Sequence, residues 1–167
     1  DHMVIIVFGL PGSGKSYFAS RLAMHLEAEY VNSDELRMHM LQERNYTAAE
    51  KQRVYDAMLS RMSDALSDKK PIVLDATFYK KSIRRRFEQR AATFHHSIIY
   101  IEVTASEDII KDRLLIPRAY SEADYDVYLK LKKSAEPLTR DHLVLVSTNN
   151  NIVSMLHEAL HYIETQP

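Results

Sequence analysis

Lys15 and Ser16 close the string Gly9-Leu10-Pro11-Gly12-Ser13-Gly14-Lys15-Ser16, which holds all 3 glycines of the 167-residue chain. A chain that uses glycine nowhere else keeps it where backbone must come close to something. The spacing is G-x-x-x-x-G-K-[ST], a phosphate loop. Glycines there turn successive N–H groups inward around an anion, in this motif the β-phosphate of a nucleotide. Lys15 is spaced to reach the β- and γ-phosphate oxygens, and Ser16 to put its hydroxyl on Mg2+. Gly12, Ser13, Gly14, Lys15, Ser16 and Tyr17 are therefore the expected nucleotide-binding residues.

Switches, motors and small kinases all use such loops, so other residues must choose the chemistry. Asp34 and Arg37 lie three apart in Asn32-Ser33-Asp34-Glu35-Leu36-Arg37 and share one face of a helix's first turn. A carboxylate there can accept the proton of an attacking hydroxyl. An arginine beside it can hold an acceptor's phosphate with two parallel hydrogen bonds. Asp75 and Thr77 end the apolar run Ile72-Val73-Leu74. An aspartate in that position can orient a metal's water shell, bind the acceptor side or simply cap the strand. Ser16, Asp34 and Asp75 are the expected metal-side oxygens. Arg113 and Arg118 flank a proline-broken stretch that reads as a small lid, with arginines placed to neutralise charge on a transferred phosphoryl group.

Two patterns are ambiguous. Lys80, Lys81, Arg84, Arg85, Arg86 and Arg90 form the one strong basic cluster, which fits a polynucleotide backbone track or a solvated helix face. His157-Glu158-Ala159-Leu160-His161 matches H-E-x-x-H, but a zinc site needs a third protein ligand and only residues 162–167 follow. That segment is better read as an outer helix with Ile152, Leu156, Ala159, Leu160 and Ile163 as its apolar set. Thr148–Asn151 follows the last apolar run, where a nucleobase edge could be read. Asparagine pairs with either purine, so ATP and GTP both fit.

The elements that must position these residues alternate along the chain. Val4–Phe8 reads as a buried strand, and Phe18, Leu22 and Leu26 mark a helix from Lys15 to Glu29. Tyr30–Asn32 is a short strand, and Ser33 caps a helix to about Leu41. Thr47-Ala48-Ala49-Glu50 is a capping box that opens a long helix ended by Pro71. Ile72–Leu74 is the next strand, followed by a basic helix from Lys81 to Phe94. Ser97–Val103 is a strand, and Ser106 caps a helix to about Leu115. A break at Ile116–Ser121, a helix from Glu122 to Lys133, the strand His142–Val146 and a terminal helix complete the set. Five strands interleaved with helices imply an α/β fold: a five-stranded parallel sheet with helices on both faces.

The length suits one domain that buries roughly two-thirds of its unfolded surface. Cysteine is absent and the net charge is −1, which excludes a disulfide framework, a thiolate metal site and a broadly basic, nucleic-acid-coating surface. No apolar run approaches the ~18 residues of a membrane span, and no signal peptide precedes the first strand, so a soluble, cytoplasmic protein with no membrane partner is expected. Asp1-His2-Met3 looks like a cloning remnant. Residues 4–167 read as a single domain, one that could be a module of a larger multi-module protein.

Taken together, the chain resembles the P-loop polynucleotide 5′-hydroxyl kinases, both phage-type and the kinase modules of bacterial end-healing enzymes. The likeness runs from Ile5 to about Leu138. It is carried by Gly9–Ser16, by Asp34 with Arg37, by Asp75-x-Thr77 followed by Arg84–Arg86, and by Arg113 and Arg118. The resemblance implies a P-loop NTPase kinase fold with an arginine-bearing lid. It implies transfer of the γ-phosphoryl group of ATP or GTP, with Mg2+, to the 5′-OH end of DNA or RNA. Asp34 would be the general base, Arg37 would hold the adjoining phosphate, and Asp75, Thr77 and Arg84 would serve the acceptor. A lid arginine would contact the donor phosphates, and a covalently linked repair module could complete the full-length protein. The family often shows asparagine after D-x-T, where this chain has Phe78. Kinases of small-molecule hydroxyls (metabolite, antibiotic or nucleotide-sugar) and the zeta-toxin group share the loop and an early aspartate, and form the alternative. A nucleotide-dependent switch is the third class.

Overall fold

The computed structural model of the protein describes residues 2–40, 47–116 and 124–167. Five strands, β1 (Val4–Phe8), β2 (Glu29–Asn32), β3 (Ile72–Ala76), β4 (Ile98–Thr104) and β5 (Leu143–Val146), form one sheet in the order β2-β3-β1-β4-β5. Every pairing is parallel. The helices are α1 (Lys15–Leu26), α2 (Ser33–Met40), α3 (Ala48–Ser67), α4 (Lys81–Thr93), α5 (Glu107–Leu114), α6 (Tyr125–Ser134) and α7 (Ile152–Glu164).

The period of two in β1 explains the layering, because successive side chains leave opposite faces of a strand. Val4, Ile6 and Phe8 enter a core built with Met58 and Met62 of α3 and Phe87 of α4. Ile5 and Val7 enter a second core with Phe18 and Leu22 of α1 and Leu156 and Ile163 of α7. β1 is buried along its whole length, so it can be apolar throughout. The register pairs Val7 with Asp75 and Asn32 with Asp75, which aligns the carboxyl ends of β1, β2 and β3. Ligands of open parallel sheets bind beyond those ends.

Several boundaries differ from the sequence expectation. The first helix stops at Leu26, because Glu27 turns left-handed (φ 52°) and donates its N–H to Ala23 and Met24 carbonyls. That early stop frees Glu29 to start β2. Ser33 was expected to cap the second helix. Instead Asn32 Oδ1 accepts the Glu35 N–H at 2.8 Å, and the capping group sits on the strand. Thr47 does cap α3, accepting from the Glu50 N–H. Leu41 and residues 117–123 lie outside the described residues.

Phe78 holds the turn after β3. Its φ of 44° is left-handed, a region that asparagine adopts more readily than phenylalanine. Its fully buried ring packs edge-on against Tyr55 and Phe87, with centroids 5.2 Å and 5.0 Å away. Its N–H donates to Tyr55 Oη (3.0 Å), and its carbonyl accepts from Arg84 Nη1 (2.6 Å). Arg84 Nη2 also donates to the carbonyls of Glu136 (2.9 Å) and Pro137 (3.4 Å). A strained turn persists where its surroundings over-determine it, and here ring packing and a buried guanidinium do so. Arg84, expected to serve the acceptor, is buried with its donors on these backbone carbonyls.

Arg84→Met should lower the unfolding free energy in urea by about 2–4 kcal/mol, since carbonyls in and beside the turn lose a charged donor. Nucleotide affinity should change little. An unaltered urea midpoint would remove Arg84 from this structural role.

Candidate functional site

The glycine loop leads from β1 into α1, with Gly12 (φ 81°) and Gly14 (φ 92°) in left-handed conformations. Gly14 also has no room for a side chain. A Cβ there would meet Ser147 Oγ at 2.8 Å and Arg113 Nη1 at 3.1 Å. Those two groups fix the loop. Ser147 Oγ donates to the Ser13 carbonyl at 2.6 Å. Arg113 Nη1 donates to the Gly12 carbonyl at 3.0 Å and to Ser147 Oγ at 2.8 Å, while Nη2 donates to the Thr148 carbonyl at 3.0 Å. Residues on α5 and after β5 thus hold the carbonyls of a loop whose N–H groups open the α1 terminus, the positive end of that helix.

The Asn32 side chain joins three elements. Its Nδ2 donates to Asp75 Oδ2 (2.8 Å) and lies 3.2 Å from Ser16 Oγ, while its Oδ1 takes the Glu35 N–H of α2. Tyr30 donates its hydroxyl to the same Asp75 oxygen at 2.6 Å. Burial, then the Asp75 charge, push the Tyr30 hydroxyl well above its ordinary pKa, so it stays a proton donor. Asp75 is fully buried, and its Oδ1 has no hydrogen-bond partner among the described residues.

Asp34 and Arg37 sit on one face of α2, as their spacing demands. Arg37 Nη1 bonds Asp34 Oδ1 at 2.7 Å. Its Nε lies 3.0 Å from Glu50 Oε1 on α3. Arg37 and Glu50 are buried, whereas Asp34 keeps a quarter of its side chain exposed. Lys51, next along α3, is half-buried, and burial followed by the Arg37 charge lowers its pKa below the usual lysine value.

One cavity of about 820 Å3 runs past these groups. Gly12, Gly14, Lys15, Ser16, Tyr17 and Arg113 line it at the loop, with Thr148–Asn151 beside them. Asn32, Asp34 and Arg37 line its middle. Lys51, near Arg37 and the Tyr79 ring, lines it too, as do Thr77, Tyr79, Val127 and Leu131. Sequence reasoning thus named residues that share a cavity, but with different surroundings from those expected. Arg113 stands in the wall with its guanidinium engaged on two carbonyls and a hydroxyl. Asp75 is set behind Asn32 and reaches Ser16 through it. Ser13 is buried within the loop. Arg118 lies outside the described residues.

Four members of the basic cluster are engaged with protein groups, while Lys81 and Arg85 are exposed. Arg84 is buried, Arg86 pairs with Asp56 (2.5 Å) on α3, Arg90 donates to Ser63, and Lys80 donates to the Ser134 carbonyl. His157 and His161 are exposed on α7, and the described residues contain no cluster of three His, Cys, Asp or Glu able to hold a metal. A divalent cation at the loop would therefore rest on few protein ligands. That suits Mg2+, which keeps waters and phosphate oxygens around it. The Ser16 hydroxyl and the partnerless Asp75 oxygen are hard donors of the right kind. Among the described residues no helix is long and apolar enough to cross a membrane.

Asn32, Tyr30, Lys51, Tyr79 and Ser147 were missed as site residues. Asn32 had a signal, an asparagine three residues before Glu35 at a strand-to-helix junction. The others had none, since their place follows from strand order.

Residues 4–138 match the family AAA_33, described as an AAA domain. Uncharacterized proteins of Mycobacterium tuberculosis and Mycobacterium bovis are 26% identical over 131 residues, covering 71% of this chain and 26% of theirs. The chain thus spans about a quarter of the length of the curated relatives it matches. Among solved structures, an unliganded sugar kinase from Janibacter sp. superposes with TM-score 0.75 at 14% identity, over 100% of this chain and 97% of that one. Kti12 of Chaetomium thermophilum with ADP-AlF3 gives 0.73 at 21%, over 96% and 97%. The Mycobacterium tuberculosis APS kinase with AMPPNP and APS gives 0.72 at 16%, over 98% of each. The fold is that of the P-loop kinases.

Asn32→Ala should cost about 1–3 kcal/mol of stability, because Asp75 and the Glu35 N–H each lose a buried partner. It should also weaken Mg2+-dependent nucleotide binding through a misplaced Ser16. Full stability in urea melts together with wild-type nucleotide affinity would show that the carboxamide joins nothing of consequence.

Proposed function

From a chain that belongs to the AAA domain family AAA_33, we propose a kinase that moves the γ-phosphoryl group of a nucleoside triphosphate to a hydroxyl of a small molecule. One observation carries the reading: the phosphate loop and the Asp34–Arg37 pair line the same cavity. Neighbours of the same fold include a sugar kinase and an APS kinase with AMPPNP and APS. The cavity beyond Asp34 is walled by Tyr79, Val127 and Leu131, which suits a compact acceptor. The polynucleotide reading retains the same Asp34 and Arg37, but three arginines of the cationic helix that would track a strand, Arg84, Arg86 and Arg90, are engaged with protein partners.

The chemistry follows from the side chains. Asp34, partly exposed and anchored by Arg37, accepts the proton of the acceptor hydroxyl as its oxygen attacks the γ-phosphorus. The bond from that phosphorus to the β-γ bridging oxygen breaks, and the nucleoside diphosphate leaves. Loop N–H groups and Lys15 receive the charge that builds on the β-phosphate. Mg2+, when bound, neutralises phosphate charge beside Ser16. Arg113 keeps the loop in shape from outside.

The test is incubation with Mg2+, γ-labelled ATP or GTP, a panel of small hydroxyl compounds and a 5′-OH oligonucleotide. The expected result is label on a small molecule, lost by about 100-fold or more in Asp34→Ala, with nucleotide binding intact. Label on the oligonucleotide alone would replace the small acceptor with a polynucleotide end. Full activity in Asp34→Ala would remove the base.

A further inference from the structure

We propose that Lys51 forms an anion-binding subsite at the acceptor end of the cavity, so that the hydroxyl compound phosphorylated here carries a phosphate, sulfate or carboxylate group. The inference rests on the kinase reading above, because it describes that enzyme's acceptor.

Three features of Lys51 disfavour a cation there in the absence of an anion. It stands in the first turn of α3, at the positive end of the helix dipole. It is half-buried, so its ammonium group has lost part of its water. Its charge faces that of Arg37. Burial and the Arg37 charge both lower its pKa. The carboxylates nearby are engaged elsewhere: Asp34 and Glu50 both bind Arg37. Among the described residues Lys51 makes no ion pair. Its Nζ lies 5.2 Å from the centroid of the Tyr79 ring.

Other cations of this protein are treated differently. Arg61 bonds Glu29, Arg86 bonds Asp56, and Lys132 bonds Glu107, all at exposed or part-exposed positions where pairing matters least. An uncompensated ammonium group inside the cavity has the opposite logic. It is costly to the empty protein and favourable once an anion arrives. The Thr77 and Tyr55 hydroxyls, 3.3 Å apart, line the same cavity, and with Tyr55 donating to Thr77 Oγ1 the Thr77 hydroxyl is left to donate to an oxyanion. Val127 and Leu131 supply apolar wall for a carbon skeleton. An acceptor bound between Asp34 and Lys51 would thus offer its hydroxyl to the first and its anionic group to the second.

The test uses inorganic sulfate as the probe and calorimetry as the readout, at constant ionic strength. The protein is first saturated with AMP-PNP and Mg2+, which fills the donor phosphate sites, and sulfate is then titrated in. Lys51→Met should weaken sulfate binding by at least about tenfold, Lys51→Arg should restore most of it, and the affinity for AMP-PNP should be the same in all three proteins. Equal sulfate affinity in wild type and Lys51→Met, or no sulfate binding to wild type, would overturn the subsite. Loss of AMP-PNP affinity in Lys51→Met with sulfate unchanged would place Lys51 on the donor's γ-phosphate and overturn it too. Failure of wild type to bind AMP-PNP at all would instead strike the kinase reading beneath it.

Discussion

The Asn32 carboxamide is the contact on which the site's geometry depends. Its two ends bind a carboxylate at the end of β3, a hydroxyl at the start of α1 and an amide in α2. Those elements carry the Asp75 carboxylate, the phosphate loop and the Asp34–Arg37 pair. A single planar group with donors at one end and an acceptor at the other can do this only if the three elements converge within hydrogen-bond reach. The register of Asn32 beside Asp75 supplies that convergence. Buried in this way, the network gains from the low local dielectric and would be penalised heavily for any missing member.

A second constraint comes from the N-terminal half of α3, which brings Glu50 to Arg37, Lys51 to the cavity and Tyr55 to the Phe78 turn. Helical spacing explains why Lys51 and Tyr55, four apart, lie one above the other. The turn after β3 in turn aims Thr77 and Tyr79 at the cavity, and Arg84 closes it from behind. The aromatic at position 78 therefore substitutes core packing for the local backbone tolerance of an asparagine.

Strand order apart, most of the fold was legible in the sequence. β1 was bounded correctly because a fully buried parallel strand reads as an unbroken apolar run, and α3 because threonine and glutamate mark its start. The first helix was drawn too long, since nothing in Glu27 announces a left-handed residue. At the site, the phosphate loop and the Asp34–Arg37 spacing were visible because they are local. The partners of Arg84 and Arg113 were not visible, for the opposite reason. Arg84 reaches the Glu136 and Pro137 carbonyls and Arg113 the Gly12 carbonyl and the Ser147 hydroxyl, groups far away in sequence whose positions no local pattern reports. Lys51 escaped notice because a lysine in a helix is ordinary until its neighbours are known.

The staples on the phosphate loop have a consequence for how the domain matures. Arg113 reaches Gly12 across 101 positions, and Ser147 reaches Ser13 across 134. The loop comes long before its two staples in sequence, so two of the bonds that shape it come from segments made much later. Contacts of such long sequence separation close late, after much of the chain's entropy has been surrendered. During synthesis from the N-terminus, the loop therefore exists as sequence well before it exists as a cradle. Competence to grip a phosphate becomes a property of the finished sheet, and a bound nucleotide would favour the completed domain over its partly folded precursors.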